Sequence, residues 1–321
     1  MRILVAGGAG FIGSHYVRSL ISGRYAGFED AHVTVLDKLT YAGNLANLRP
    51  VTGHSRLSFV HGDITDGQLL AEVLPGHDVL LNFAAETHVD RSIAGPGNFV
   101  VTNVYGTQQL LQAALDTDVR TVIQVSTDEV YGSIDDGSWV ESEPLLPNSP
   151  YAASKAGGDL LCRAYYQTYG LDVRVTRCSN NYGPYQYPEK IIPLFVTRLI
   201  DGRSVPLYGD GQYAREWLHV EDHCRAVQLV LAKGAGGEVY NVGGGIELTN
   251  WQLTDRLLAA CDMDWSMVEN VLDRPGHDRR YSVDSSKIQG LGFEPLVNFD
   301  EGLADVVQWY RDNQAWWRRL T

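Results

Sequence analysis

The segment GGAGFIG, residues 7–13, constrains this chain more than any other stretch. The apolar run RILVA leads straight into it, and FIGSHYVRSLI, an amphipathic helical pattern, leads out of it. Gly7, Gly10 and Gly13 stand at G-x-x-G-x-x-G spacing. Glycines so placed let a strand turn tightly into a helix and let the backbone approach a ligand that a Cβ would hold off. The helix N-terminus then presents its unpaired N–H groups to a pyrophosphate. A glycine triplet alone is a weak signal. Here a strand precedes it, a helix follows, and Asp37 ends the second apolar run, which is the pattern of a dinucleotide-binding βαβ unit.

The remaining chain keeps that rhythm. Apolar runs at 2–7, 32–37, 57–63, 78–85, 120–126 and 172–177 alternate with helix-length amphipathic segments. Continuous apolar strands joined by helical crossovers predict an α/β fold, a doubly wound parallel sheet of Rossmann type covered on both faces. After about residue 178 the pattern loosens, and SNNYGPYQYPEK (179–190) reads as a ligand-facing loop. Residues 1–178 are expected to form the dinucleotide-binding domain. Residues 179–321 should form mainly a smaller C-terminal substrate-binding domain, with part of 212–240 returning to complete the sheet.

The 26 Lys and Arg against 39 Asp and Glu leave a net charge of −13, which excludes non-specific binding to nucleic acid or to an anionic membrane. An anionic small ligand is still allowed, because a basic pocket can sit on an acidic protein. The four cysteines, Cys162, Cys178, Cys224 and Cys261, are widely spaced with no CxxC, which fits a reducing compartment. The N-terminus reads as a first strand, not a signal peptide, and no segment has the length of a membrane span, so a cytoplasmic protein is expected.

Four further features carry chemistry. Asp37 can accept hydrogen bonds from ribose hydroxyls and would repel a 2′-phosphate, which favours NAD over NADP. Asp63, ending the third run, is a candidate partner for the adenine. In VSTDEVYG (125–132) a buried-looking strand ends in two adjacent carboxylates, Asp128 and Glu129, which repel each other and are costly to desolvate. In SPYAASKA (149–156) Tyr151 and Lys155 lie four apart at a helix start, on one face. An ammonium there is expected to lower the phenol pKa, and a positive nicotinamide to lower it further toward the neutral range, making Tyr151 a base. By contrast, His219 and His223 in HVEDH lack the HExxH order of a zinc site, and no metal is expected. Trp309, Trp316 and Trp317 read as the packing face of a terminal helix.

Taken together, GGAGFIG, TDEVYG and YAASK resemble the extended short-chain dehydrogenase/reductase superfamily. With THVDRS (87–92), SNNYGPYQYPEK, REWLHVEDH (215–223) and RPGHDRRY (274–281) the set is similar to the dTDP-glucose 4,6-dehydratase family over nearly the whole chain. No position that the family uses for chemistry departs from its pattern. The resemblance implies a homodimer, built through the helices after residues 98 and 151, that uses NAD+ and dTDP-glucose. It implies oxidation at C4, loss of water across C5 and C6, and return of the hydride to C6. Glu129 would be the base at C5 and Asp128 the acid at C6, with Tyr151, Lys155 and Thr127 at C4. The implied cofactor positions are Gly7, Gly10, Phe11, Ile12, Gly13, Asp37, Lys38, Thr40, Asp63, Ile64, Ala84, Ala85, Thr102, Tyr151, Lys155 and Asn181. The implied substrate positions are Thr87, Thr127, Asn180, Lys190, Ile191, Pro206, Tyr208, Arg215, Asn250, Arg274 and His277. The rival reading is a nucleotide-sugar 4-epimerase, which needs no acid and base at C5 and C6; Asp128 and Glu129 discriminate. A non-catalytic NAD-sensing regulator on the same fold would have no use for that full set of side chains.

Overall fold

The computed structural model describes residues 1–273 and 275–321. Its strands among these residues are β1 (Arg2–Ala6), β2 (His32–Asp37), β3 (Leu57–His61), β4 (Val79–Asn82), β5 (Thr121–Thr127), β6 (Val173–Cys178), β7 (Asn180–Tyr182), β8 (Val205–Tyr208), β9 (Ala214–His219), β10 (Val239–Val242), β11 (Ile246–Thr249) and β12 (Val268–Val271). Seven of them form one sheet in the order β10-β6-β5-β4-β1-β2-β3, with every neighbouring pair parallel.

The apolar runs form strands because each feeds two cores. Ile3 and Val5 point into one cluster with Val33, Val35, Leu81 and Ile123. Leu4 and Ala6 point into the other with Leu36, Leu80 and Val122. A strand buried on both faces cannot alternate polar and apolar residues, so it appears in the sequence as an uninterrupted run. The six strands expected from those runs are all present.

The strand order reverses between β1 and β4, where Ile3 pairs with Val79 and Ala6 with Asn82. Loops leaving two strands in opposite directions open a crevice at their carboxyl ends, and ligands of open α/β sheets bind there. The seventh strand, β10, comes from the C-terminal half through the helix Val220–Lys233. The preceding β9 does not join it. β9 pairs with β7 and β11 in a three-stranded sheet, and β8 with β12 in a two-stranded one. A third core lies there, with Phe195, Trp217, Leu257, Val306, Tyr310 and Trp317. Trp309 and Trp316 close around Tyr185, and Trp316 Nε1 donates to Asn47 Oδ1 at 3.0 Å, which ties the C-terminal segment to the first half of the chain. No helix among the described residues is long and apolar enough to cross a membrane.

Candidate active site

A cleft of about 440 Å³ opens at the carboxyl ends of the large sheet, within the size range of small-molecule sites. Gly7, Gly10, Phe11, Ile12 and Gly13 line it from the first loop and helix. A Cβ on Gly7, whose φ is +75°, would stand 2.5 Å from the backbone nitrogen of Ala84, and one on Gly13 would stand 2.3 Å from Gly7 O. Only bare backbone fits the turn. Asp37, Lys38, Thr40, Asp63, Ile64, Ala84, Ala85 and Thr102 line the same cleft. Asp37 is nearly buried, and its carboxylate accepts from Ala9 N at 2.9 Å and Leu39 N at 2.8 Å. It therefore shapes the glycine loop as well as facing the cleft, a second role that sequence spacing does not reveal. Burial pushes its carboxyl up, against those two hydrogen bonds. Asp63 carries Lys38 Nζ at 2.6 Å.

The strand β5 runs into a single 3-10 turn, Asp128–Tyr131, capped by Thr127 Oγ1, which accepts from Glu129 N at 3.3 Å. Asp128 is only 1% exposed, and burial, then Glu129 and Glu216, hold its carboxyl well above the usual range. These surroundings favour its protonated form. Its Oδ2 has no hydrogen-bond partner among the described residues. Opposite stands the helix Pro150–Tyr169, whose Ser149 cap accepts from Ala152 N at 3.1 Å and whose proline occupies the first turn. Tyr151 and Lys155 lie on its cleft-facing side, both buried. Lys155 Nζ donates to Val125 O at 2.6 Å, which pins the helix to β5.

Lys155 alone does not lower the Tyr151 phenol in this fold. Burial, Glu129, Cys178 and Asp128 push the phenol well up. Lys155, itself pushed down by burial and held up by Asp159, does not outweigh them. The spacing of Tyr151 and Lys155 was visible in the sequence; the full burial of the phenol was not.

Thr87, Asn180, Asn181, Lys190, Ile191, Pro206, Tyr208, Arg215, Asn250 and His277 also line the cleft, while Arg274 lies outside the described residues. Arg215 is buried. Its guanidinium donates to Ala214 O at 2.7 Å and Asp278 O at 2.9 Å and sits 4.4 Å over the Tyr281 ring. Lys190 Nζ donates to Thr87 O at 2.8 Å, and His277 stacks on Tyr213 at 3.7 Å. Sequence reasoning missed Tyr281, Glu189 and Glu86 in this lining. Tyr281 ends RPGHDRRY and Glu189 precedes Lys190, so both lay inside segments already singled out. Acidic residues beside an anionic ligand gave no reason to choose them. The pair in HVEDH has structural work: His219 Nδ1 accepts from Glu221 N at 3.2 Å, and His223 Nδ1 meets Asn181 Oδ1 at 2.8 Å. The four cysteines are free and buried.

A family profile described as GDP-mannose 4,6 dehydratase matches residues 4–306. A dTDP-glucose 4,6-dehydratase of an Actinoplanes species is 60% identical over 319 residues, covering 99% of this chain and 100% of the relative. One from Streptomyces niveus is 58% identical over 321 residues, covering 100% of this chain and 96% of the relative. The crystal structure of DesIV, a dTDP-glucose 4,6-dehydratase from Streptomyces venezuelae solved with NAD bound, superimposes with a TM-score of 0.99 at 63% identity, over 100% of both chains.

Proposed function

The chain belongs to the dTDP-glucose 4,6-dehydratases of the extended short-chain dehydrogenase/reductase superfamily, and from that premise we propose that it converts dTDP-glucose to dTDP-4-keto-6-deoxyglucose and water with NAD recycled. One observation carries the reading. A buried Asp128, its carboxyl held well above the usual range, and its neighbour Glu129 line the same cleft as the Tyr151 and Lys155 pair. The bare-backbone turn at Gly7 and Gly13 fits a pyrophosphate, and the carboxylate of Asp37 fits ribose hydroxyls.

NAD+ supplies a hydride acceptor for C4 and, once reduced, the donor to C6. The chain's own residues move the protons. Tyr151 takes the C4 hydroxyl proton, with Thr127 as its hydrogen-bond partner. Lys155, together with the positive charge of a bound nicotinamide, would favour the phenolate against the burial that pushes the phenol up. Glu129 takes the proton from C5, which the C4 ketone has made acidic. Asp128 gives its proton to the C6 hydroxyl, which leaves as water. A 4-epimerase needs neither step, and it would leave a buried acid with an unpaired oxygen unexplained.

The substrate-binding assignments rest on placement. Arg215, Lys190 and His277 bring positive charge and N–H groups to the cleft for a diphosphate, joined in sequence by Arg274. Thr87, Asn180, Tyr208 and Asn250 add polar groups, and Ile191 and Pro206 add apolar walls. In this reading residues 1–178, with the returning strand β10, hold the cofactor, and 179–321 mainly hold the substrate. A homodimer is supported by apolar side chains left exposed on two neighbouring helical segments, Val100, Val101, Tyr105 and Leu160. A cytoplasmic site is supported by the four free cysteines.

The test mixes variants with dTDP-glucose and follows NADH absorbance beside 4-keto-6-deoxy product. Tyr151→Phe should almost abolish NADH formation. Asp128→Asn with Glu129→Gln should still form NADH but lose elimination, by roughly 10²- to 10⁴-fold. Product at the parent rate from the double variant would remove both carboxylates from the reaction.

A further inference from the structure

Behind the reacting groups lies a buried network that binding and proton transfer leave unused. Arg177 lies on β6, beside Cys178, which lines the cleft, and pairs in the sheet with Ser126. The residue is 5% exposed, and its guanidinium grips two elements at once. Nε donates to Asp159 Oδ2 at 2.9 Å. Nη1 donates to the Tyr131 hydroxyl at 2.7 Å, and the guanidinium stands 4.8 Å over that ring. Asp159 sits one turn beyond Lys155 and two beyond Tyr151 on the same helix, so the three share a face. Tyr131 closes the turn that carries Asp128 and Glu129, and its hydroxyl donates onward to Asn241 Oδ1 at 2.8 Å.

We propose that Arg177 is a positioning residue that fixes the turn bearing Asp128 and Glu129 against the helix bearing Tyr151 and Lys155, through Tyr131 on one side and Asp159 on the other. The inference rests on the division of labour given above. Its physical ground is that a buried ion pair is a poor means of gaining stability, since a well-packed apolar replacement does as well or better. A planar guanidinium with fixed donors instead holds two partners in one geometry. Here those partners belong to the two halves of the reaction. Elimination has to begin from the ketone that oxidation leaves, so both sets must stand correctly around a single sugar. Displacements near 1 Å cost on the order of a hundredfold.

The two grips can be loosened separately with near-isosteric changes. Tyr131→Phe keeps the ring and removes the hydroxyl, freeing the carboxylate turn. Asp159→Asn keeps the shape and removes the charge, freeing the helix. In single turnover with dTDP-glucose, Tyr131→Phe should slow elimination roughly tenfold while NADH formation stays within about twofold of the parent, so NADH accumulates. Asp159→Asn should slow NADH formation more than elimination, so NADH accumulates less than in the parent. A role confined to stability would lower the melting temperature and leave the ratio of the two steps unchanged in both variants, and that result overturns the proposal. So does a parent-like ratio in either variant alone. The Asp128→Asn, Glu129→Gln protein is run alongside. If it accumulates NADH while the Arg177 partners do not change the ratio, the linkage fails and the site reading stands. If it makes product normally, the site reading itself fails.

Discussion

Arg215 shows how much a single residue's meaning depends on what surrounds it. In the sequence it is one arginine among many, and such a residue is ordinarily a solvated surface charge. In the fold it is 6% exposed, with two carbonyls and an aromatic face fixing its plane before any ligand arrives. A preoriented fork binds phosphate oxygens with little ordering left to do. Arg215→Ala should weaken dTDP-glucose binding by about 1.5–3 kcal/mol, roughly tenfold to more than a hundredfold, with a smaller change in the rate from bound substrate. Arg215→Lys keeps the charge but loses the fork and the stacking, so its affinity should still fall. Titration calorimetry on both variants gives the answer, and unchanged affinity in both would return Arg215 to a structural role. The same dependence explains Tyr151. Its spacing to Lys155 was legible, but the direction of its pKa is set by residues distant in sequence or packed from another element.

At the scale of elements, what could be read was whatever is local. The strands β1 to β6 announce themselves because their runs are dominated by β-branched and aliphatic residues, and the glycine turn because its geometry fits in seven residues. The returning strand β10 is only four residues long and borrows its pairing from β6. Its segment was therefore expected only within 212–240, where β9 in fact joins another sheet. The helical stretch after residue 98 was expected only from the resemblance, and its irregular middle was not legible. It widens into a π turn over Val101–Gly106, and Asn103 there reaches inward to Glu86 and Ser154 while Val100, Val101 and Tyr105 stay exposed. A Cβ on Gly157 would touch Val104, so this stretch lies against the helix that exposes Leu160. If that joint face is the dimer contact, Val101→Glu with Leu160→Glu should raise the dissociation constant by about a hundredfold, since unpaired carboxylates would be desolvated there. Sedimentation equilibrium should show twice 35.5 kDa for the parent and the single mass for the variant. Equal masses for the two would place the contact elsewhere, or show that there is none.

At the scale of the whole molecule, the chain crosses between its two regions after Cys178 and crosses back through the helix Val220–Lys233. That helix holds the pieces together. Asp222 accepts from Leu296 N at 3.0 Å and Val297 N at 2.9 Å, and His223 anchors Asn181 at the cleft. Full burial pushes the His223 imidazole down to about 3, and burial brings His219 at the head of the helix to about 4. The sign follows from proton counting. Below the ordinary histidine value near 6.5, the unfolded chain binds a proton at each position that the folded chain refuses, so stability falls with falling pH. For His223 the loss runs from about 6.5 down to its folded value, at roughly 1.4 kcal/mol per pH unit, which comes to about 2 kcal/mol by pH 5. His223→Gln can still hydrogen-bond Asn181 and cannot titrate. Urea unfolding at pH 7 and pH 5 should therefore show the parent losing more stability than the variant between the two, by about 2 kcal/mol, whatever their difference at pH 7. Equal losses would mean that His223 is protonated in the folded protein at pH 5, or that the helix opens there before the rest of the chain. In either case this buried histidine would not be a source of the protein's acid sensitivity.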